Sequence, residues 1–105
     1  MSAVIIYMVC AHREEAQIIA RHLLEERLVA CANIMPAHDS LYWWDRKIQN
    51  GSEVAVILKT QDSLFDQVKE AVLPLHSYDC PCIVAWPIAQ GYDPFMKWIA
   101  SETTR

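Results

Sequence analysis

The stretch "VACANIMPAHDSLYWW", residues 29–44, decides the fold because its composition predicts a long extended segment in the middle of the chain. The segment is broken near Pro36, since proline cannot donate to a central ladder position of a sheet. The following "DRK" at 45–47 predicts a reversal, and "EVAVILKT" at 53–60 predicts a returning strand. The two extended segments therefore form a long antiparallel hairpin.

A strand and a helix precede this hairpin. The run "VIIYMVC" at 4–10 is apolar and rich in β-branched residues, which is typical of a strand buried on both faces. Over 13–28 apolar residues recur at helical spacing with charged residues opposite them, which predicts an amphipathic helix. Glu14 and Glu15 near its start complement the helix dipole.

A second helix, a last strand and a short terminal helix follow the hairpin. Apolar residues over 64–75 share one helical face, and Asp62 or Ser63 is the predicted N-cap. The run "CIVAWPIA" at 82–89 predicts the last strand. The Asp-Pro dipeptide at 93–94 predicts a cap followed by proline at the first helical position.

This order of elements, β-α-β-β-α-β plus a terminal helix, predicts a single α+β domain over residues 1–105 with the ferredoxin-like arrangement. Right-handed crossovers place helices on one face of an antiparallel sheet with strand order 4-1-3-2. The end of the first strand then meets the beginning of the fourth. The topology therefore carries Cys10 toward His76, Asp79, Cys80 and Cys82.

Composition and charge exclude several classes of function. The chain has 105 residues, and 53% of them are apolar. Because so small a domain has a limited interior, some of these apolar residues should lie on the surface, which predicts an oligomer. A net charge of −4 and a pI near 5.4 argue against a nucleic-acid partner. No run approaches the ~20 apolar residues of a membrane span, and no secretion signal is evident, so we expect a cytoplasmic protein without a membrane partner. The four cysteines are then predicted to be free thiols.

The segment "ACANIMPAHDSLYWWDRK", residues 30–47, resembles the CutA divalent-cation tolerance proteins. The pattern of that family is Ala-Cys-x-Asn, a proline, Ser-x-Tyr-x-Trp and then Gly-Lys. The residues that match it are Ala30, Cys31, Asn33, Pro36, Ser40, Tyr42, Trp44 and Lys47. Arg46 departs from the pattern by replacing the turn glycine, so the hairpin turn must avoid a left-handed residue there or accept strain.

The resemblance implies a ferredoxin-like subunit, a homotrimer built by edge-to-edge strand pairing, and binding of divalent metals, copper especially, in metal-ion tolerance. It also implies a relation to the PII-type nitrogen regulators. The cysteine and histidine of the family's metal site fall on Cys10 and His76, and its acidic ligand falls on Cys82. Asp79 and Cys82 stand where the family has glutamates.

The chemistry of these residues supports a metal site. Thiolate and imidazole are soft or borderline ligands that suit copper and zinc. We expect Cys10, His76 and Cys82 to supply two sulfurs and one nitrogen, with Asp79 or a water completing the set, to copper as Cu²⁺ or alternatively to zinc. The other interpretation is structural: Cys10 and Cys82 are small buried residues, and His76 forms hydrogen bonds within its loop.

Other functions are weighed against metal binding. A PII-like module that binds a small anion between subunits is the second hypothesis, with Glu53, Lys59 and Thr60 as candidates for an anion pocket or a structural ion pair. An enzyme is not expected, because no oxyanion hole or third orienting group accompanies the cysteine–histidine pair. The aromatic residues at 42–44 could stack on bases, but the acidic charge favours a role in the core and in an oligomer interface.

Overall fold

The structure is a computed structural model that describes residues 2–104. Its central element is a five-stranded antiparallel sheet. The strands are β1 (Ala3–Cys10), β2 (Cys31–Ile34), β3 (His38–Trp44), β4 (Lys47–Gln61) and β5 (Ile83–Pro87). The helices are α1 (Arg13–Glu25), α2 (Phe65–Val72) and α3 (Asp93–Glu102), and a 3₁₀ turn, Asp62–Leu64, leads into α2. The α+β fold class is confirmed.

The strand order is β2-β4-β1-β5, with β3 paired to the first part of β4. The predicted second strand is thus two strands, since the chain is interrupted around Pro36 and both halves pair with the 15-residue β4. With β2 and β3 counted together, this is the predicted 4-1-3-2 order. None of the helices within residues 2–104 is long and apolar enough to cross a bilayer.

The two faces of the sheet differ in what covers them. Even-numbered side chains of β1, such as Ile6, Met8 and Cys10, point toward α1 and α2 and are fully buried. The odd-numbered side chains point to the opposite face, because successive residues of a strand alternate. There α3 packs on the start of β1 through Ile99 and Ala3, and leaves the end of β1 uncovered by any helix.

Helix α1 ends three residues before the predicted boundary, at Glu25. Arg27 follows with a left-handed φ of 59°, and Leu28 N–H donates to Leu23 O, which closes the helix as a Schellman motif. Arg27 Nη1 also forms a 2.6 Å ion pair with Glu102 Oε2 in α3. The end of α1 is therefore set by the left-handed backbone at Arg27. The apolar periodicity of the sequence continues past Glu25 and does not indicate this end.

The β3–β4 hairpin turns on two residues with positive φ, Asp45 at 54° and Arg46 at 62°. This is the left-handed pair of a type I′ turn, so the chain accepts strain at the position of the expected glycine. Beyond the core, the hairpin is exposed in the single chain: the exposed fractions of Leu41 and Trp43 are both 72%, and that of Ile48 is 65%. The expectation that residues 42–44 contribute to the core is wrong.

Two helix starts also differ from prediction. Leu64 is the N-cap of α2, so neither Asp62 nor Ser63 caps it, because the 3₁₀ turn begins at Asp62. Tyr92 is the N-cap of α3, which places proline one position later than predicted.

Candidate cation site

Three potential ligands meet at the end of β1 on the face covered by α1 and α2. Single ligand atoms of Cys10, Glu15 and His76 all lie within 4.8 Å of one another, and all three residues are buried. We call these residues the buried triad. Cys10 and His76 come together as the strand topology predicts, and Glu15 joins them.

Glu15 was not recognised as a site residue from the sequence. It lies in the first turn of α1, where His12 is the N-cap and its Nδ1 accepts a hydrogen bond from Glu15 N–H. The Glu15 carboxylate accepts from Ala11 N–H at 2.7 Å through Oε2 and from Ser77 N–H at 2.5 Å through Oε1. Glu15 thereby ties the loop after α2 to the start of α1.

The imidazole of His76 is held by backbone groups on both sides. Nδ1 accepts a hydrogen bond from Tyr78 N–H at 3.0 Å, and Nε2 donates to Val9 O at 2.8 Å. Because Nδ1 accepts, the ring is the neutral tautomer with its proton on Nε2. The structural role considered from the sequence, a histidine that forms hydrogen bonds within its loop, is thus present together with the close approach to Cys10.

Burial controls the charges of the triad. Desolvation, with the nearby Glu15 carboxylate, raises the pKa of the Cys10 thiol to about 12. Desolvation would also raise the pKa of Glu15, but hydrogen bonds from Ala11 and Ser77 outweigh it and bring that pKa below its ordinary value. At neutral pH the triad therefore holds a neutral thiol beside an ionised carboxylate.

The donor set of the triad fits a copper or zinc ion in its chemistry. Sulfur, nitrogen and carboxylate oxygen are the ligands that zinc takes in proteins, at about 2.0–2.3 Å, so the ligand atoms around one tetrahedral ion lie roughly 3.3–3.8 Å apart. The ligand atoms of the triad lie within 4.8 Å of one another, so the three side chains would have to close on the ion. Binding at His76 would replace one of the two hydrogen bonds of its ring.

The other two predicted ligands, Cys82 and Asp79, lie away from the triad. Met8 pairs with Ile83, so Val9 stands opposite Cys82, and Val9 N–H donates to Cys82 O at 3.2 Å. Directly opposed residues share a face, whereas Cys10 points to the other face. The sheet therefore separates Cys82 from Cys10.

Cys82 and Asp79 instead line a cavity of about 480 Å³ on the uncovered part of the opposite face. We call it the open cavity; its lining is Val9, Ser40, Leu41, Tyr42, Trp44, Glu53, Tyr78, Asp79, Cys80 and Cys82. This lining contains two carboxylates and, among the described residues, no lysine or arginine. The lining of the open cavity therefore does not favour an anionic ligand.

Glu53 organises the polar side of the open cavity. Tyr78 Oη donates to Glu53 Oε2 at 2.7 Å. Burial, followed by the hydrogen bond to Glu53, raises the pKa of Tyr78, and burial with the Glu53 charge raises the pKa of the Cys82 thiol. The remaining anion-pocket candidates have separate partners: Lys59 Nζ donates to Asn33 Oδ1, and Thr60 Oγ1 donates to Leu28 O.

Known proteins share both the sequence and the fold of this chain. The family model described as CutA1 divalent ion tolerance protein matches residues 4–102. A divalent-cation tolerance protein CutA of Archaeoglobus fulgidus is 45% identical over 94 residues, which are 90% of this chain and 91% of that protein. A solved structure of a periplasmic divalent cation tolerance protein CutA from Archaeoglobus fulgidus superposes with a TM-score of 0.95 at 40% identity, covering 97% of this chain and 99% of that one. The structure of CutA1 from Oryza sativa gives a TM-score of 0.96 at 34% identity, covering 99% and 95%. The chain therefore belongs to the CutA1 divalent ion tolerance family.

Proposed function

We propose that the chain serves divalent-cation tolerance by binding a copper-type cation at Cys10, Glu15 and His76, as a homotrimer and without catalysing a reaction. The observation that carries the proposal is the meeting of a thiol, a carboxylate and an imidazole within 4.8 Å of one another. Such a mixed set suits copper or zinc better than magnesium or calcium. Asp79 and Cys82 are left out of this ligand set because the sheet lies between Cys82 and Cys10.

Cation uptake has a defined cost in this arrangement. Cys10 is protonated at neutral pH, so it must release a proton before its sulfur can act as a ligand. His76 must exchange the hydrogen bond from Tyr78 N–H for the cation, because its Nδ1 is the acceptor nitrogen. We therefore expect binding to strengthen as the pH rises and to free the Tyr78 amide for hydrogen exchange.

Calorimetric titration with Zn²⁺, which does not oxidise thiols, tests the site, and Cu²⁺ follows under the same conditions. Two buffers of different ionisation enthalpy report the released proton. Cys10→Ser and His76→Gln should each weaken binding by more than about 100-fold, since losing even an outer-shell partner costs ~10–100-fold. Cys31→Ser and His22→Gln are the matched controls away from the triad. Unchanged affinity and stoichiometry in both triad variants would refute the site.

The exposed apolar side chains of the β3–β4 hairpin support the homotrimer. Leu41, Trp43 and Ile48 lie on one face of the hairpin, because Trp43 pairs with Ile48 and Leu41 is two residues away. Burial of such a surface would contribute about 25 cal/mol per Å². Sedimentation should show a trimer at micromolar concentration, and Trp43→Glu should weaken it. A folded wild-type monomer at that concentration would contradict the assembly.

A further inference from the structure

The open cavity contains two thiols that the proposed function does not use. Cys80 and Cys82 are both exposed and both line it, together with the carboxylate of Asp79. All four cysteines of the chain are free, and Cys10 and Cys31 are not part of this lining. Two exposed thiols that line one cavity form a pair of soft donors separate from the buried triad.

The segment that carries both thiols is irregular. Residues 77–80 form a run of bends that includes Cys80, and Pro81 follows with its φ fixed by the ring. Cys82 comes just before β5. Both side chains line the open cavity, although neither residue belongs to a strand.

A bridging ion places a looser geometric demand on this pair than a disulfide does. A disulfide requires its sulfurs to approach to about 2.05 Å at a restricted dihedral angle. A metal with about 2.3 Å bonds to each sulfur holds them up to about 4.6 Å apart. The same two thiols can therefore accept an ion more readily than they can join to each other.

We propose that Cys80 and Cys82 form a second site for a thiophilic cation in the open cavity, which Asp79 also lines. Cu(I) is the form of copper that two thiolates select. Two Cu–S bonds form as the two thiols release their protons to solvent, and the copper keeps its oxidation state. The site goes beyond the proposed function, because it involves no residue of the buried triad and lies on the other face of the sheet.

Anaerobic titration of the reduced full chain against the Cu(I)–bicinchoninate complex tests the proposal. Cys80→Ser and Cys82→Ser should each lower Cu(I) affinity by more than about 100-fold, since even an outer-shell change costs ~10–100-fold. Cys31→Ser is the matched control for loss of a thiol outside the cavity. One equivalent of Cu(I) should also protect Cys80 and Cys82 together from alkylation, read for each residue by mass spectrometry.

Two results would overturn this second site. One is a Cys80→Ser, Cys82→Ser double variant that binds Cu(I) as the wild type does. The other is a large loss with Cys82→Ser and none with Cys80→Ser, which would exclude a dithiol. Zn²⁺ binding that depends on Cys10 and His76 should be unchanged in the double variant, so failure of either site is distinguishable from failure of the other.

Discussion

Cys10 and Cys82 lie at the same end of the sheet, on neighbouring strands, and have opposite environments. Cys10 is 0% exposed, sits in the hydrophobic core and meets Glu15 and His76. Cys82 is exposed and lines the open cavity. The difference comes from the pleat, because adjacent positions of paired strands point to opposite faces. Proximity of strands therefore does not make two residues ligands of one ion; they must also share a face.

The two environments also differ in how the loop between α2 and β5 is anchored. On the buried side, Glu15 and His76 bind backbone groups with little access to water. On the open side, Tyr78 reaches Glu53 through a hydroxyl that is only partly buried. Because lost hydrogen bonds cost most where water cannot replace them, the buried anchors should dominate stability.

The largest expected contrast is in thiol reactivity. Under native conditions Cys80 should be alkylated first and Cys82 more slowly, because its thiol pKa is raised, while Cys10 should react orders of magnitude more slowly than either. A buried thiol reacts only after local or global opening, and the raised pKa of Cys10 further reduces its thiolate fraction. Mass spectrometry after timed alkylation, with and without urea, measures both rates. Native alkylation of Cys10 at the rate of Cys80 would show that the two faces are equally open.

Removing the carboxylate of the buried triad should destabilise the fold substantially. Glu15→Ala leaves Ala11 N–H and Ser77 N–H without their acceptor. Because these are buried hydrogen bonds to a charged group, the free energy of unfolding should fall by about 3 kcal/mol. Urea unfolding at one fixed subunit concentration measures it. Glu14→Ala, the exposed neighbour, should stay within about 0.5 kcal/mol of the wild type. Equal effects of the two changes would contradict the anchoring role of Glu15.

The same carboxylate predicts a pH dependence of stability. The folded-state pKa of Glu15 is below its ordinary value, so its contribution is present above the unfolded-state pKa of about 4.3 and is lost as the pH falls through the folded pKa. Between pH 5 and about pH 3, Glu15→Gln should therefore lose less stability than the wild type does. Urea midpoints across this range test the sign, with Glu14→Gln as the control. A Glu15→Gln curve parallel to that of the wild type would contradict it.

Much of the fold follows from sequence patterns that are local and periodic. The alternation of strands and helices, together with crossover handedness, is enough for the strand order and for the approach of Cys10 to His76. What periodicity cannot show is the left-handed residue that ends α1 or the 3₁₀ turn before α2. Both depend on backbone geometry at single residues.

The candidate site was less predictable than the fold, for two physical reasons. Glu15 looks like a partner of the helix dipole, although its spacing from Ile19 and Leu23, at i+4 and i+8, already assigns it to the buried face of α1. Cys82 lies in an irregular segment just before β5, where the sequence does not specify the register with β1. Once Val9 is known to face Cys82, strand alternation directs Cys10 to the other side.

The smallest loss of stability is expected where the loop between α2 and β5 faces the open cavity. Tyr78→Phe removes the hydroxyl that donates to Glu53 and keeps the hydrogen bond from Tyr78 N–H to His76. Because water can reach the Glu53 carboxylate in place of the hydroxyl, the free energy of unfolding should fall by about 1 kcal/mol or less. Tyr42→Phe removes a hydroxyl from an exposed tyrosine of the same cavity and should cost less still. Urea unfolding of both variants beside Glu15→Ala makes the comparison direct. If Tyr78→Phe costs as much as Glu15→Ala, the loop is held equally from both faces, and burial does not decide which anchor matters.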